Sequence, residues 1–411
     1  MANNPIRQKF LNAISAVQAS LVGREDVVQA LFLSVLANES AVLLGEPGTA
    51  KSATVENVAR CFTDATYFSL LFGKYVLPEE VFGPYDVPAL KAGYYNRLTE
   101  GYLPKAHFAF LDEIFKANGS LLNSLLTVVN ERKFDNGQRP APEVGGRIDV
   151  PLRTCFGASN EVPEGTDMDA LWDRFAVRLW VVGLNQNDDL ATALLQLNYP
   201  IRTGSRRGAK TVAQLPPGGG IALSELDTAQ DEAERLPVAP ATITAVINIK
   251  NAVNAAFPGL ITDRTLTRVL SLPRAAAWLE GATEVRPDHL ECLVNAFWRD
   301  PSQRKTVAEA VYAHSNPVSE EIRKVIDNLK ELSTTAWPKT GLDNGDEDAR
   351  KAALGIVEEM RTGVQRLETL VGGASSTKYA GEQRMAQTLL DNCVKQVQAA
   401  FVKALGVKVN F

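Results

Sequence analysis

The sequence predicts an α/β fold, a parallel sheet lying between helices, followed by two purely helical regions. Three observations predict it. Short apolar runs of strand length, Ala41–Leu44, His107–Leu111 and Leu152–Ala158, alternate with helically periodic segments through residues 1–185. A glycine-rich turn, Gly45 to Ser52, joins the first run to a helix. After Leu184 the strand signals stop and helical periodicity punctuated by proline takes over.

Taken in order, Ile6–Leu21 carries Phe10, Leu11, Ile14, Val17 and Leu21 at helical spacing. Glu25–Ala37 sets Val28, Leu31, Phe32 and Val35 on one face, and a further helix opens near Lys51. Ser120–Glu131 has an apolar stripe of Leu121, Leu122, Leu125, Leu126 and Val129. Strands separated by helices imply βα units, hence a parallel α/β domain over 1–185. The stretch Thr203–Gly220 contains Pro216, Pro217 and three consecutive glycines, and reads as a loop within a linker at 186–222. From Ile221 to Phe297 the pattern is helical, which predicts a small helical domain at 223–300. The remaining 301–411 reads as three long helices, the first broken at Trp337-Pro338 and the polar run Gly341 to Asp346.

At 411 residues the chain exceeds one ordinary domain. Its net charge of −5 provides no electrostatic footprint for nucleic acid, which weighs against a DNA- or RNA-stimulated motor, one alternative function; Lys51, Asp112 and Glu113 weigh against the other, a nucleotide-gated scaffold with little hydrolysis. Cys61, Cys155, Cys292 and Cys393 are scattered without a CxxC pair, as expected of buried thiols in a reducing compartment. His107, His289 and His314 are equally isolated, so no metal-ligand spacing is visible. Met1 to Phe10 lacks the apolar stretch of a signal peptide, and no apolar run reaches the length of a bilayer span. The expectation is a cytoplasmic protein.

The chemistry concentrates in a few motifs. Gly45-Glu46-Pro47-Gly48-Thr49-Ala50-Lys51-Ser52 stands between an apolar strand and a helix. Phosphates need several donors held close together; a tight glycine-rich loop supplies main-chain N–H groups, and the helix adds its N-terminus. The main chain from Glu46 through Ala53 is the predicted nucleotide cradle, with Lys51 reaching the β- and γ-phosphates and Ser52 ligating Mg²⁺. Ala50 occupies the place where glycine usually precedes the lysine, and is expected to have helical φ. Phe108-Ala109-Phe110-Leu111 then runs into Asp112 and Glu113, one carboxylate for Mg²⁺ and one to polarise the attacking water. Ser159-Asn160 ends the next strand and would put an amide near the γ-phosphate. Arg174, within Leu171-Trp172-Asp173-Arg174-Phe175, is the candidate arginine finger supplied by a neighbouring subunit. Arg178, read as one helical turn further on, is its rival.

These motifs together resemble the MoxR family of AAA+ ATPases, and within it the RavA subgroup. The resemblance also includes Pro78-Glu79-Glu80-Val81-Phe82-Gly83-Pro84, Arg97 to Pro104, Asn130-Glu131-Arg132 and Ala158-Ser159-Asn160-Glu161, and spans about residues 6–300. It implies an α/β P-loop AAA+ core, an α-helical lid and an α-helical C-terminal bundle. It further implies a homo-hexameric ring using ATP and Mg²⁺, a protein substrate, and a partner with a von Willebrand factor A domain. Val22-Gly23-Arg24-Glu25 looks like the element bordering the adenine, with Val22 and Gly23 against the nucleotide. Ala89–Tyr102 looks like a pore-directed insert carrying Tyr94 and Tyr95. Arg264, in Thr262-Asp263-Arg264, looks like the lid arginine that reaches nucleotide. Ser333–Asp348 is too short to hold the β-rich domain by which RavA relatives dock on a lysine decarboxylase, so that partner is not expected.

Overall fold

A computed structural model describes residues 4–117, 119–137, 146–162, 166–183, 215, 218–334, 347–372 and 380–405. The linker expected at 186–222 lies almost wholly outside the described residues, as do Trp337-Pro338 and Gly341 to Asp346. The chain forms two compact units, Met1–Val311 and Tyr312–Phe411.

The first unit opens with α1 (Pro5–Ser20), whose first residue is a proline and whose cap, Asn4, accepts from the N–H groups of Ile6 and Arg7. Then follow α2 (Glu25–Leu36), β1 (Ser40–Leu44), α3 (Lys51–Ala59), β2 (Phe62–Thr63) and β3 (Tyr67–Leu71). Two short helices, α4 (Pro78–Phe82) and α5 (Val87–Lys91), lead to β4 (Phe108–Asp112) and α6 (Gly119–Glu131). A hairpin, β5 (Lys133–Asp135) with β6 (Arg147–Asp149), precedes β7 (Thr154–Ser159), α7 (Thr166–Trp172) and β8 (Phe175–Trp180).

Five strands make one parallel sheet in the order β3-β4-β7-β1-β8. All five residues of β1 are buried, because strands flank it on both edges and helices cover its faces. The sequence reading missed both edge strands. In β8 the residues Phe175, Val177 and Leu179 alternate inward, a period of two that the preceding Leu-Trp pair masks as helix. In β3, Phe68 is buried while Tyr67 and Leu71 are exposed, so the strand has little apolar signal of its own. Ile221–Ala222, expected in linker or helix, forms β9 beside β2.

The helical part of this unit comprises α8 (Leu223–Glu234), α9 (Pro240–Ala256), α10 (Asp263–Arg268), α11 (Ser271–Glu280) and a 3₁₀ segment, Pro287–Asn295. One aromatic cluster ties it to the sheet. The Phe10 ring meets Phe32, Phe62 and Trp278 edge-on, with centroids 6.5, 6.1 and 5.5 Å away. Phe10 is fully buried, so four elements share one side chain.

The boundary between the units falls inside α12 (Arg304–Ser315). Beyond it lie α13 (Pro317–Thr334), α14 (Glu347–Gly372) and α15 (Ala380–Leu405). The expected first long helix is thus broken earlier, at Asn316-Pro317. A residue before proline is pushed out of the helical region, and proline has no N–H to continue the ladder. Asn316 then accepts from the Ser319 N–H. Ala353, Val357, Met360, Val364, Leu367 and Val371 on α14 recur at three- and four-residue steps and pack on Ile322, Ile326 and Leu329 of α13 and Ala386, Leu390 and Val397 of α15. No described helix is long and apolar enough to cross a membrane.

Phe10→Ala is expected to destabilise the first unit by about 3–5 kcal/mol, the usual loss for a buried aromatic cut to alanine. A urea titration followed through tryptophan fluorescence reads it.

Candidate nucleotide site

Sheet order brings three strand ends together. With β1 beside β7 and β7 beside β4, the turn after Leu44, the Ser159-Asn160 step and the Asp112-Glu113 pair share the carboxyl edge of the sheet. This is where ligands of parallel α/β sheets bind. Gly45 cannot be replaced, since a Cβ on it would lie 2.1 Å from the Val181 carbonyl oxygen. Gly48, at φ +81°, has open space around it. Thr49 closes the turn by donating to the Glu46 carbonyl at 2.9 Å. Glu46, Pro47, Gly48, Ala50 and Ser52 face solvent and Ala53 is half-buried.

Ala50 departs from expectation. Its φ of 65° and ψ of 22° are left-handed, where a Cβ crowds the following carbonyl, rather than helical. The turn needs that conformation to aim successive N–H groups inward ahead of Lys51, the first residue of α3.

Lys51 is buried, and its Nζ donates to Gly45 O at 2.6 Å, Glu46 O at 3.0 Å and Asn160 Oδ1 at 2.9 Å. Burial lowers its pKa, against the opposing pull of Asp112 and Glu113. Asn160 Nδ2 in turn donates to Glu113 Oε1 at 2.5 Å. The other Glu113 oxygen is buried, has Lys116 Nζ at 3.3 Å, and meets no aligned donor. Glu113 sits at φ 52°, in the left-handed region, directly after the last residue of β4. Its N–H donates to Asp112 Oδ1 at 3.1 Å. The pKa of Asp112 is raised, first by burial and less by the Glu113 charge, while the hydrogen bond from the Glu113 N–H, Lys51 and a hydrogen bond from Ser52 oppose the rise. Ser52 hydroxyl and Asp112 carboxylate are therefore neighbours, and both are hard oxygen donors of the kind Mg²⁺ takes.

One residue of this site was missed. Arg24 is buried and donates to Gly23 O at 2.8 Å, Thr49 O at 3.1 Å and Val182 O at 2.9 Å. It pins Val22 and Gly23 to the loop and to the end of β8. The sequence places Arg24 inside the Val22-Gly23-Arg24-Glu25 element but assigns contact with the nucleotide to Val22 and Gly23 alone.

The predicted arginines lie elsewhere. Phe175 pairs in register with Ser40, so Arg174 stands at the amino edge of the sheet. Five residues of β1 separate the two edges, about 17 Å at roughly 3.3 Å per residue. Arg264, on α10, donates to Asn130 Oδ1 at the end of α6 at 3.0 Å. Thr262 caps that helix, accepting from the Thr265 N–H. Among the described residues neither Arg174 nor Arg264 has a carboxylate within ion-pair distance, and Arg174 Nε is buried without a hydrogen-bond partner. Burial first, then the charges of Arg264 and Arg268, lower the pKa of Arg174. Arg178 lies on β8 and not one helical turn after Arg174. It is buried, donates to Ala296 O at 3.3 Å and Trp298 O at 2.5 Å, and is lowered to about 10 by burial.

Comparison with known proteins shows the family. The family model described as the MoxR domain in the MoxR-vWA-beta-propeller ternary systems matches residues 8–213, and an AAA lid domain model matches residues 241–311. The chain belongs to the MoxR family of AAA+ ATPases. Two uncharacterized proteins of Methanocaldococcus jannaschii are each 32% identical over 311 residues, covering about three quarters of this chain and of each relative. Chaperone MoxR1 of Mycobacterium tuberculosis is 29% identical over 32% of this chain and 33% of its own length. The crystal structure of a proposed ATPase from Cytophaga hutchinsonii shares the fold, with a TM-score of 0.53 and 16% identity over 79% of this chain and 93% of that one.

Two other features of this MoxR-type chain lie apart from the loop. Tyr95, 61% exposed, meets the Tyr85 ring edge-on beside a cleft of about 560 Å³ that Arg97, Phe134 and Asn136 also line; Tyr94 is half-buried. In the lid, Glu280, Asp288 and His289 cluster, but His289 Nδ1 accepts the Arg286 N–H at 2.9 Å and Nε2 faces Glu280 at 2.8 Å. Both ring nitrogens are occupied, as in a helix cap.

Two measurements check this geometry. Ala50→Gly removes a left-handed cost of about 1–2 kcal/mol and adds back about 0.4–1 kcal/mol of unfolded-chain entropy, so stability should rise by up to about 1.5 kcal/mol. Asp112→Asn should stabilise the nucleotide-free protein at neutral pH, because the raised folded pKa of Asp112 means its charged form is penalised there. That gain is absent below the ordinary carboxylate range and grows as pH rises through the folded value. Denaturant midpoints against pH report it, and an unchanged or inverted trend contradicts the assignment.

Proposed function

We propose that this chain is an ATP hydrolase that assembles into a ring, with each nucleotide held between two subunits. The observation that carries the reading is the division of charge between the two edges of one sheet. Lys51, Asn160 and Glu113 form a hydrogen-bonded chain at the carboxyl edge, and the unpaired Arg174 and Arg264 stand at the amino edge. A subunit cannot carry its own arginines the length of β1 to its own phosphates. A neighbour that presents its amino edge can.

On this reading the main chain from Glu46 to Ala53 cradles the phosphates, its N–H groups (Pro47 has none) binding phosphate oxygens, and Val22 and Gly23, fixed by Arg24, border the adenine. Lys51 exchanges its loop carbonyls for the β- and γ-phosphates. Ser52 and Asp112 hold Mg²⁺, which when bound neutralises phosphate charge. Because Asn160 bridges Lys51 and Glu113, the shift of Lys51 toward phosphate frees the amide to face the γ-phosphate, and Glu113 to orient water. The water oxygen attacks the γ-phosphorus, its proton passes to Glu113, and the bond to the bridging oxygen breaks. Arg174 and Arg264 of the neighbour take up the negative charge spread over the transferring group.

Turnover remodels or matures a protein target in the cytoplasm. The ternary systems for which the matching family model is named support a von Willebrand factor A partner. The ring is a hexamer, the lid spans 223–300 and the core 1–185, and the helical extension at 301–411 is RavA-like without a decarboxylase-docking domain.

Glu113→Gln is expected to retain ATP binding and lose about 10²- to 10⁴-fold in turnover, the usual weight of a general base. Arg174→Ala and Lys51→Ala subunits, each inactive alone, should recover turnover when mixed, since one supplies an intact loop and the other intact arginines. No recovery on mixing overturns the shared site.

A further inference from the structure

Five arginines gather at the amino edge of the sheet: Arg132, Arg153 and Arg174 from the core, Arg264 and Arg268 from the lid helix α10. Among the described residues two of them have a carboxylate partner, Arg153 with Asp227 and Arg268 with Glu39. Nearby acids are committed elsewhere, Asp173 to Arg299 and Glu131 to Arg147. Glu39 belongs to the core. It immediately precedes β1, its N–H donates to Ser34 O at 2.9 Å, and its side chain is only 9% exposed. Arg268 meets it in a two-pronged arrangement, Nε with Oε1 at 3.2 Å and Nη2 with Oε2. Ser271, at the start of the next lid helix, adds its hydroxyl at 3.4 Å.

Arg264 and Arg268 are four residues apart, hence one above the other on the same face of α10. Two like charges so placed repel, and α10 is too short to hold itself in place. A bidentate carboxylate fixes both position and rotation of a guanidinium. With Arg268 fixed, Arg264 falls against Asn130 and beside Arg174.

We propose that Glu39 is a positioning residue for hydrolysis: by clamping Arg268 it locks the lid helix so that Arg264 and Arg174 form one preassembled anion site for the neighbouring subunit's nucleotide. This rests on the shared-site reading above. Glu39 touches neither nucleotide nor water; it acts through Arg268. The defect on removing it therefore appears at the neighbour's phosphates and not at the subunit's own loop.

The test uses full-length subunits in mixed assemblies. Glu39→Gln keeps shape and loses charge. Alone, it should bind ATP with parental affinity and lose roughly ten- to a hundredfold in kcat, the scale of a misplaced catalytic group. Mixed with Lys51→Ala subunits it should recover turnover, because its own loop is intact and the partner's arginines are in place. Mixed with Arg174→Ala subunits it should not, since both then present defective arginines. A general folding defect would depress both mixtures alike and would overturn the proposal. If Glu39→Gln does not fold, Arg268→Met, made from the more exposed lid side, is expected to give the same pattern in the same mixtures. Where both single variants fold, the double variant should be no worse than either one. Parental kcat for the clamp variant, while Arg174→Ala and Lys51→Ala still complement each other, sinks the role of Glu39. Failure of that reference pair to complement sinks the shared site instead.

Discussion

A buried ammonium group organises the carboxyl edge of the sheet. Lys51 carries its charge into a place where water is scarce, and a charge there must be surrounded by oxygen. Gly45 O, Glu46 O and Asn160 Oδ1 do this, drawing the loop and β7 onto the same point. Asn160 passes the constraint on to Glu113, so β4 is held as well. One side chain thereby sets the relative positions of three strand ends, and every donor or carboxylate assigned to nucleotide on this edge is placed with respect to it.

Backbone strain collects where this geometry is made. Ala50 and Glu113 are both non-glycine residues in the left-handed region, and both lie at the carboxyl edge of the sheet. Asn38 and Arg132, also left-handed, lie next to Glu39 and Glu131 at the opposite edge. Such conformations persist when packing over-determines them, and they concentrate where a chain must aim a group rather than merely bury one. Arg24 shows the compensating investment: a buried guanidinium, lowered in pKa by desolvation, held by three carbonyls so that Gly23, Thr49 and Val182 keep a fixed spacing.

The lid is tied to the core at three points. The Phe10 cluster fixes α11 through Trp278 on one side, and Glu39 fixes α10 on the other. Arg178 adds a third tie from β8 to the carbonyls of Ala296 and Trp298. The apolar contact supplies cohesion, whereas the two arginine contacts supply direction, because a guanidinium fork accepts partners from few angles. Removal of direction without cohesion would leave a folded protein whose edges no longer match those of a neighbour.

Local order was legible in the residues themselves. The buried central strands, the helices Pro5–Ser20 and Gly119–Glu131, the loop ahead of Lys51 and the acidic end of β4 follow from apolar period, glycine placement and the demands of phosphate, all of which act over a few neighbouring residues. Edge strands were not legible, because β3 has a half-exposed face and β8 follows a helix without a break in apolar character. Nor was the backbone of Ala50, whose left-handed φ is imposed by the loop around it. The roles open to the arginines were decided by tertiary structure alone. Sequence spacing set Arg174 and Arg178 side by side on a supposed helix, but the strand pairing Phe175 with Ser40 buries one and leaves the other at the amino edge. Strand order, parallel pairing and the Glu39–Arg268 contact, 229 residues apart in the chain, depend on which surfaces meet, and no local pattern encodes that.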